Sequence, residues 1–488
     1  MRAAHARPNP VLSAPCVGAP GIVGRMPAAP TIVWFRDDLR VADHPALAAA
    51  VDLGAPVVCV FVLDEESPGI RPLGGAARWW LHGSLEALRG DLDALGATLV
   101  LRRGSAGRVI RSLVDETGAG AAYWNRRYGG PEREVDTELK GALSDAGLEV
   151  HSFAANLLFE PWTIRTGQGT PYSVFTPFWR ACLAAPEPRH PLAVPDALEA
   201  HVADVASDDL ASWHLLPTRP DWAAGLRETW TPGSAAAHDR LATFLDERLG
   251  DYDDDRDRPA IDATSRLSPH LRWGEISPFE VWNAVRERRS VDGGRGAATS
   301  RGRFLAELGW REFAWHVLFH APDLATRNWR PEFDAFPWPR LHPSAMQAWE
   351  QGRTGVPLVD AGMRELWRTG TMHNRVRMVT ASFLTKNLLI DWRRGEQWFW
   401  DTLVDADAAS NPFNWQWVAG SGADAAPYFR VFNPLLQATK FDRDGAYVRR
   451  WVPEVDTDEY PEPVVDLGES REAALAAYRV VRGARAEG

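Results

Sequence analysis

Thr31-Ile-Val-Trp-Phe-Arg-Asp-Asp-Leu-Arg40 sets a five-residue run rich in apolar side chains directly against a charged turn. A run that short, with β-branched and aromatic side chains and no alternation, is the pattern of a strand buried on both faces. Similar runs follow at Val57–Leu63, Thr98–Leu101, Ala121–Trp124 and Glu149–Phe153. Between them lie stretches with helical spacing, such as Gly75–Leu95 and Pro131–Ala146. Strands alternating with helices predict an α/β unit with a parallel five-stranded sheet covered on both faces. The turn after the first strand is charged where a GxGxxG fingerprint would stand, so a dinucleotide fold of that type is excluded there.

Residues 156–230 follow neither period and are dense in Pro and Trp, which predicts a long irregular connector. From about Ser234 the pattern is helical and strand-like alternation is scarce. Eleven of the 23 tryptophans lie between Trp310 and Trp417, so the interior of this second part is aromatic-rich. The expected organisation is an α/β domain over 31–155, a connector over 156–230 and a mostly α-helical domain over 231–488. Residues 1–30 are rich in Ala, Pro and Gly, which interrupt any signal-peptide core. They are expected to be a disordered extension, or the product of a start placed ahead of Met26.

The 488 residues are 45% hydrophobic and 24% charged, ordinary values for a globular protein with a large core. No run of 18 apolar residues exists, so no membrane partner is expected. The net charge of −11 excludes a protein that coats nucleic acid through bulk charge, and leaves room for a local basic patch. Lysine occurs only at Lys140, Lys386 and Lys440, so arginine supplies nearly all the positive charge. Cys16, Cys59 and Cys182 are far apart and form neither a disulfide framework nor a zinc motif. No metal is expected, and a reducing cytoplasm is the expected compartment.

Asp251-Tyr-Asp-Asp-Asp-Arg-Asp257 offers carboxylates to a cation, but a calcium loop needs Gly at its sixth position and Glu at its twelfth. Arg256 and Asp262 stand there, which favours a solvated acidic turn. Thr264-Ser-Arg-Leu-Ser268 sets three hydroxyls ahead of a helix start at Ser268-Pro269. Such a segment either binds phosphate or caps the helix, and spacing alone favours capping. Glu307, Trp310 and Arg311 stand at i, i+3 and i+4 and share a helix face. They suit a flat polar ring or a surface ion pair beside a core indole, and spacing favours the ion pair. Asn374 and Met378 share another face. The stretch from Arg364 to Arg394 carries seven cationic and two acidic residues, a candidate phosphate-facing patch. Asp405 to Trp417 reads as a polar, Trp-studded loop that is costly to bury without a ligand. No Ser/His/Asp or Cys/His nucleophile pattern has convincing context.

Taken together, Thr31–Arg40, Thr264–Ser268, Gly309-Trp-Arg-Glu-Phe313, Gly352-Arg-Thr-Gly355, Met372-His-Asn-Arg375, Asn414-Trp-Gln-Trp417 and Phe432-Asn-Pro434 resemble the photolyase/cryptochrome family. They occur in the family's order and span about residues 31–455. The resemblance is closest to class I cyclobutane pyrimidine dimer photolyases. It implies an α/β antenna domain and a helical domain holding FAD in a bent form, active when reduced. Tyr252, Thr264, Ser265, Arg266, Leu267 and Ser268 match positions that hold the FAD phosphates, and Phe304 and Arg311 match others in the cofactor site. Asp405 and Asp407 match positions near the isoalloxazine and ribityl part, with Arg377 paired to Asp405. Asn411 matches the residue beside flavin N5. A neutral amide there does not oppose an anionic reduced flavin, whereas the Asp of plant cryptochromes would repel it.

The same resemblance implies a slot for a flipped-out dimer, with Trp310 and Trp417 as walls and Glu307, Asn374 and Met378 beside it. Arg256, Arg311, Arg375 and Arg430 match positions facing the DNA backbone. Trp415, Trp392 and Trp338 match a three-tryptophan chain that carries electrons to the flavin; three core indoles are the plain alternative. The expected activity is light-driven repair of DNA containing pyrimidine dimers. A cryptochrome-type photosensor is the rival, opposed by Asn411, by the substrate set and by a tail of 34 residues after Glu454. A third reading, a light-independent flavin oxidoreductase, is opposed by the lack of any nicotinamide motif in the sequence. A second, antenna chromophore, folate or deazaflavin, is compatible with the α/β domain. A monomer without an obligate protein partner is the default expectation.

Overall fold

The computed structural model describes residues 29–201, 205–288, 295–425 and 429–487. The expected extension over 1–30 lies outside them except for Ala29 and Pro30. Five parallel strands, β1 (Thr31–Phe35), β2 (Val57–Leu63), β3 (Leu99–Arg103), β4 (Ala121–Asn125) and β5 (Glu149–Phe153), form one sheet in the order β3-β2-β1-β4-β5. Thr31 lies opposite Val57 on one side and Ala121 on the other. Every residue of β1, β2 and β4 is buried, which is why their sequences show no alternation. β3 runs two residues past its expected end. Arg102 and Arg103 pair with Val62 and Leu63 in the ladder while their side chains reach out to Glu116 and Glu65.

The strand order reverses between β1 and β4, where an open α/β sheet offers its crevice. Here it opens into a cavity of about 150 Å³, with Arg36, Asp64, Arg126 and Tyr128 among its lining residues. Arg36 lies over the Trp34 ring at 4.3 Å, pairs with Asp136 at 2.9 Å and donates to the Asn125 carbonyl.

The connector is more ordered than its composition suggests. It contains helices Phe175–Ala184 and Ala224–Thr229, and its Glu199–His201 backbone bonds to Val57 at the start of β2. Phe175, Phe178 and Cys182 are buried against Phe313, Val317 and Phe413 of the helical part. That three-residue apolar face is too short to show through the surrounding prolines and tryptophans.

From Ser234 onward the regular elements among the described residues are helices. The long helix Arg295–His320 packs against Tyr252–Asp255, Phe175–Ala184 and Ser410–Ala419. Ser410–Ala419 replaces the loop expected across 405–417. The two halves meet closely at Gly274, whose φ is +63° and whose absent Cβ would lie 2.1 Å from the Asp37 carbonyl oxygen. The Leu39 N–H donates to the Trp273 carbonyl at 3.0 Å, and Arg40 donates to the Gly274 carbonyl at 2.9 Å. No helix among the described residues is long and apolar enough to cross a membrane.

Candidate functional site

The hydroxyl segment does not cap its helix. The N-cap of Ser268–Trp273 is Leu267, with no side-chain cap bond. The Ser268 hydroxyl instead donates to Asp405 Oδ2 at 2.7 Å. The same carboxylate takes two bonds from Arg377, at 3.1 and 2.9 Å. Arg266 holds φ at +52°, a conformation uncommon for a residue with a Cβ. Thr264 and Ser265 precede it. Tyr252 is buried edge-on to Phe304, with ring centroids 5.4 Å apart.

Asp407 is buried beside Asp405, and its Oδ1 accepts the Ala409 and Ser410 N–H groups at 2.8 and 2.6 Å. Two buried carboxylates and a guanidinium next to a hydroxyl-rich turn suit a ligand with phosphates at one end and a polar ring at the other. Asn411 adds a directed amide. Its Nδ2 donates to the Glu396 carbonyl at 3.0 Å and to Glu396 Oε1 at 2.8 Å. Among the described residues its Oδ1 has no partner. This donor and acceptor set fits FAD.

Glu307, Trp310 and Arg311 share a helix face as their spacing predicts, yet Glu307 and Arg311 do not pair with each other. Glu307 bonds to Arg256 at 2.5 Å, while Arg311 donates to the Asn156 carbonyl at 2.9 Å and to Glu312 at 3.3 Å. Trp310 lies flat on Phe175, with centroids 3.7 Å apart and planes at 11°. Trp417 donates from Nε1 to the Asp424 carbonyl at 3.0 Å. The Asp424 N–H donates to Ser173, and its carboxylate accepts the Phe175 N–H. One short connector segment, 173–175, therefore braces both indoles. Phe175 carries no sequence signal of this role.

Asn374 opens the helix Asn374–Ser382 and is exposed, with Met378 one turn on. His373 caps this helix by accepting the Arg375 N–H, so its Nε2 donates to the Arg256 carbonyl at 3.0 Å. Burial pushes the His373 imidazole down to about 4, which keeps it neutral in this role. Its place in the quoted Met372–Arg375 motif was the signal available for it.

The acidic turn is paired, not merely solvated: Asp253 binds Arg303, Asp255 binds Arg258 and Asp257 binds Arg375. The basic run from 364 to 394 is not one patch. Arg364 pairs with Glu454, Arg368 with Glu228, Arg377 with Asp405 and Arg393 with Asp391. Lys386 is buried, donates to the Arg430 carbonyl, and is pushed down to about 7 by its burial. Arg375 alone of the run lines a groove of about 510 Å³, together with Arg430, Lys440 and Arg471.

Trp415, Trp392 and Trp349 are buried in one core cluster, with Trp338 packed on its side. The ring contacts of Trp415 are with Phe399, at 4.9 Å, and Trp349, at 6.2 Å. Trp392 donates to Asn328 and Trp338 lies on Phe336 at 4.3 Å. Among the described residues no group of three or more His, Cys, Asp or Glu side chains is placed to hold a metal ion.

Residues 31–196 match the family model described as DNA photolyase, and residues 304–457 match that of the FAD binding domain of DNA photolyase. The chain is 51% identical to the deoxyribodipyrimidine photo-lyase of Agrobacterium fabrum over 480 residues, 93% of this chain and 98% of that one. It is 39% identical to cryptochrome-1 of Arabidopsis thaliana, over 87% of this chain and 63% of that one. A crystal structure of a bacterial class III photolyase from Agrobacterium tumefaciens superposes with a TM-score of 0.90 at 49% identity, covering 95% of this chain and 100% of that one. These relatives do not bear out the closer likeness to class I. With both halves matched and half of all residues shared with a relative along nearly its whole length, the chain belongs to the photolyase/cryptochrome family.

Proposed function

We propose that this protein splits cyclobutane pyrimidine dimers in DNA, driven by blue light and dependent on bound reduced FAD. The observation that supports the reading is that two helices packed on each other carry the candidate residues for both the flavin and the dimer. Arg295–His320 supplies Phe304 to one and Trp310 to the other; Ser410–Ala419 supplies Asn411 and Trp417. FAD, when bound and reduced, supplies the electron that light sends to the dimer.

The chain's own residues do the rest. Thr264 and Ser265 donate to phosphates, while Ser268 and Arg377 orient Asp405, which with Asp407 fixes the polar ring and ribityl hydroxyls. Asn411 presents an acceptor oxygen and no charge to flavin N5. Trp310 and Trp417 stack on a flipped-out dimer, with Asn374 and Met378 at its edge. Glu307, released as Arg256 turns to a phosphate, accepts from the pyrimidine edge. Arg256, Arg311, Arg375 and Arg430 meet backbone phosphates, which exchange for the carboxylates and carbonyls now held. Trp415, Trp392 and Trp338 form the route by which oxidised flavin is photoreduced. Residues 31–155 act as the antenna domain, 156–230 as the connector and 231–488 as the catalytic domain. We assign a monomer acting in the cytoplasm.

The test is selective binding. Trp310→Ala should weaken binding to a duplex with one thymine dimer roughly ten- to hundredfold, the scale of one lost base–aromatic stack, and leave undamaged DNA unaffected. Equal losses on both duplexes would remove Trp310 from the slot.

A further inference from the structure

The amide of Asn411 can stand only one way round. Both groups facing its Nδ2, the Glu396 carbonyl and Glu396 Oε1, are acceptors, so the amide oxygen must point away from them. Its orientation therefore depends on Glu396, whose side chain is 2% exposed. A carboxylate so buried needs a partner. That partner is Arg71, which takes both oxygens in a fork, Nη1 to Oε1 at 2.7 Å and Nη2 to Oε2 at 2.9 Å.

Arg71 comes from the other half of the molecule, in the loop between β2 and the helix Gly75–Ala94. That loop is pinned to the helix Trp392–Thr402 at several points. The Arg71 guanidinium lies over the Trp400 ring at 4.0 Å, and Trp400 Nε1 donates to the Pro72 carbonyl at 2.9 Å. The Gly75 N–H donates to Asp401 Oδ1 at 2.7 Å. A Cβ on Gly74 would lie 2.2 Å from the Trp400 carbonyl oxygen, so the backbones touch. On its other side the same helix presses on Trp415, where a Cβ on Gly395 would lie 2.1 Å from the indole. Glu396 is thus held in place from both directions.

We propose that Arg71 is a positioning residue for the flavin: through Glu396 it fixes the Asn411 amide with its oxygen toward N5, so that the α/β half helps set the redox behaviour of a cofactor bound by the helical half. The inference rests on the reading that Asn411 faces N5. Reduced flavin carries a hydrogen on N5 and oxidised flavin does not, so an acceptor oxygen there favours the reduced form. Without Arg71 the buried carboxylate loses its counter-charge and the fork that holds it, so it moves, and the amide no longer has two acceptors to hold it.

Four holoprotein variants decide this, read by air reoxidation of chemically reduced flavin in the dark and by melting temperature. Arg71→Ala should reoxidise about tenfold faster, the scale of one hydrogen bond to a charged group. Arg71→Lys keeps the charge without the fork and should shift the rate the same way by less. Asp401→Ala loosens the same interface with no path to Asn411 and should reoxidise at the parent rate. Asn411→Ala should reoxidise fast whatever occupies position 71. An unchanged rate in Arg71→Ala, beside a fast Asn411→Ala, overturns the inference alone, as do equal shifts in Arg71→Ala and Asp401→Ala. An unchanged rate in Asn411→Ala overturns the reading of Asn411 and the inference with it. If Arg71→Ala yields no holoprotein, the rate of Arg71→Lys decides, and no shift overturns the proposal.

Discussion

Glu312 shows how much chemistry one buried side chain can hold beside the site. Burial pushes its carboxyl up to about 7, against the opposing pull of Arg311 and the Phe159 N–H. A carboxyl raised from 4.5 in the fold contributes stability that is present below pH 4.5 and lost as pH rises through about 7. Glu312→Gln cannot ionise, so in urea titrations its stability relative to the parent should rise by on the order of 3 kcal/mol from pH 4 to pH 8. An equal difference at both pH values would contradict this. At this scale, the sequence was legible where a motif carried the residue. Asn411, Asp405, Arg377 and Trp310 stand in recognisable runs, and of these Arg377 and Asp405 form an ion pair. Arg71, Glu396 and Phe175 stand in no motif, because their partners are hundreds of residues away or in a connector without periodicity. Ser268 was read toward capping because Ser-Pro is a helix start, and only its contact with Asp405 shows that the hydroxyl faces elsewhere.

Elements were legible in proportion to their hydrophobic contrast. The buried strands and the helices flanking them fall within two residues of expectation, since an apolar run between charged turns has one outcome in a parallel sheet. The helix Ser410–Ala419 escapes a reading of the sequence because Ser410, Asn411, Asn414 and Gln416 alternate with apolar residues and leave no amphipathic stripe. How elements dock is a matter of backbone approach. Gly274→Ala combines a left-handed φ with a Cβ 2.6 Å from the Asp38 Cα, so the two halves must part. It should lower the melting temperature sharply or abolish recovery of flavin-bound protein. Gly302→Ala, on an exposed helical turn with nothing within 4 Å, should raise stability by about 0.5–1 kcal/mol. A melting temperature in Gly274→Ala equal to or above the parent's would show that the close approach at Asp38 does not hold the halves together.

At the scale of the molecule, an acidic protein must bind a polyanion through a small surface. The run of positive charge that suggested a patch is dispersed into ion pairs, and the groove with Arg375, Arg430, Lys440 and Arg471 gathers cations from three separate segments instead. Linear charge counting could not find it. If Arg256, Arg311, Arg375 and Arg430 each neutralise a phosphate, the log–log salt slope of duplex binding should be roughly −3 to −4, and Arg375→Ala should flatten it by about one unit with the flavin spectrum unchanged. An unaltered slope would take Arg375 out of the interface. The central claim is that light, flavin and the indole slot act as one machine. The direct measurement is loss of thymine dimers from irradiated DNA by reduced holoprotein, under blue light and in the dark. Restoration of normal bases in light alone is the predicted result. Equal loss in the dark, or no loss in light with the flavin fully reduced and the DNA bound, would contradict the account.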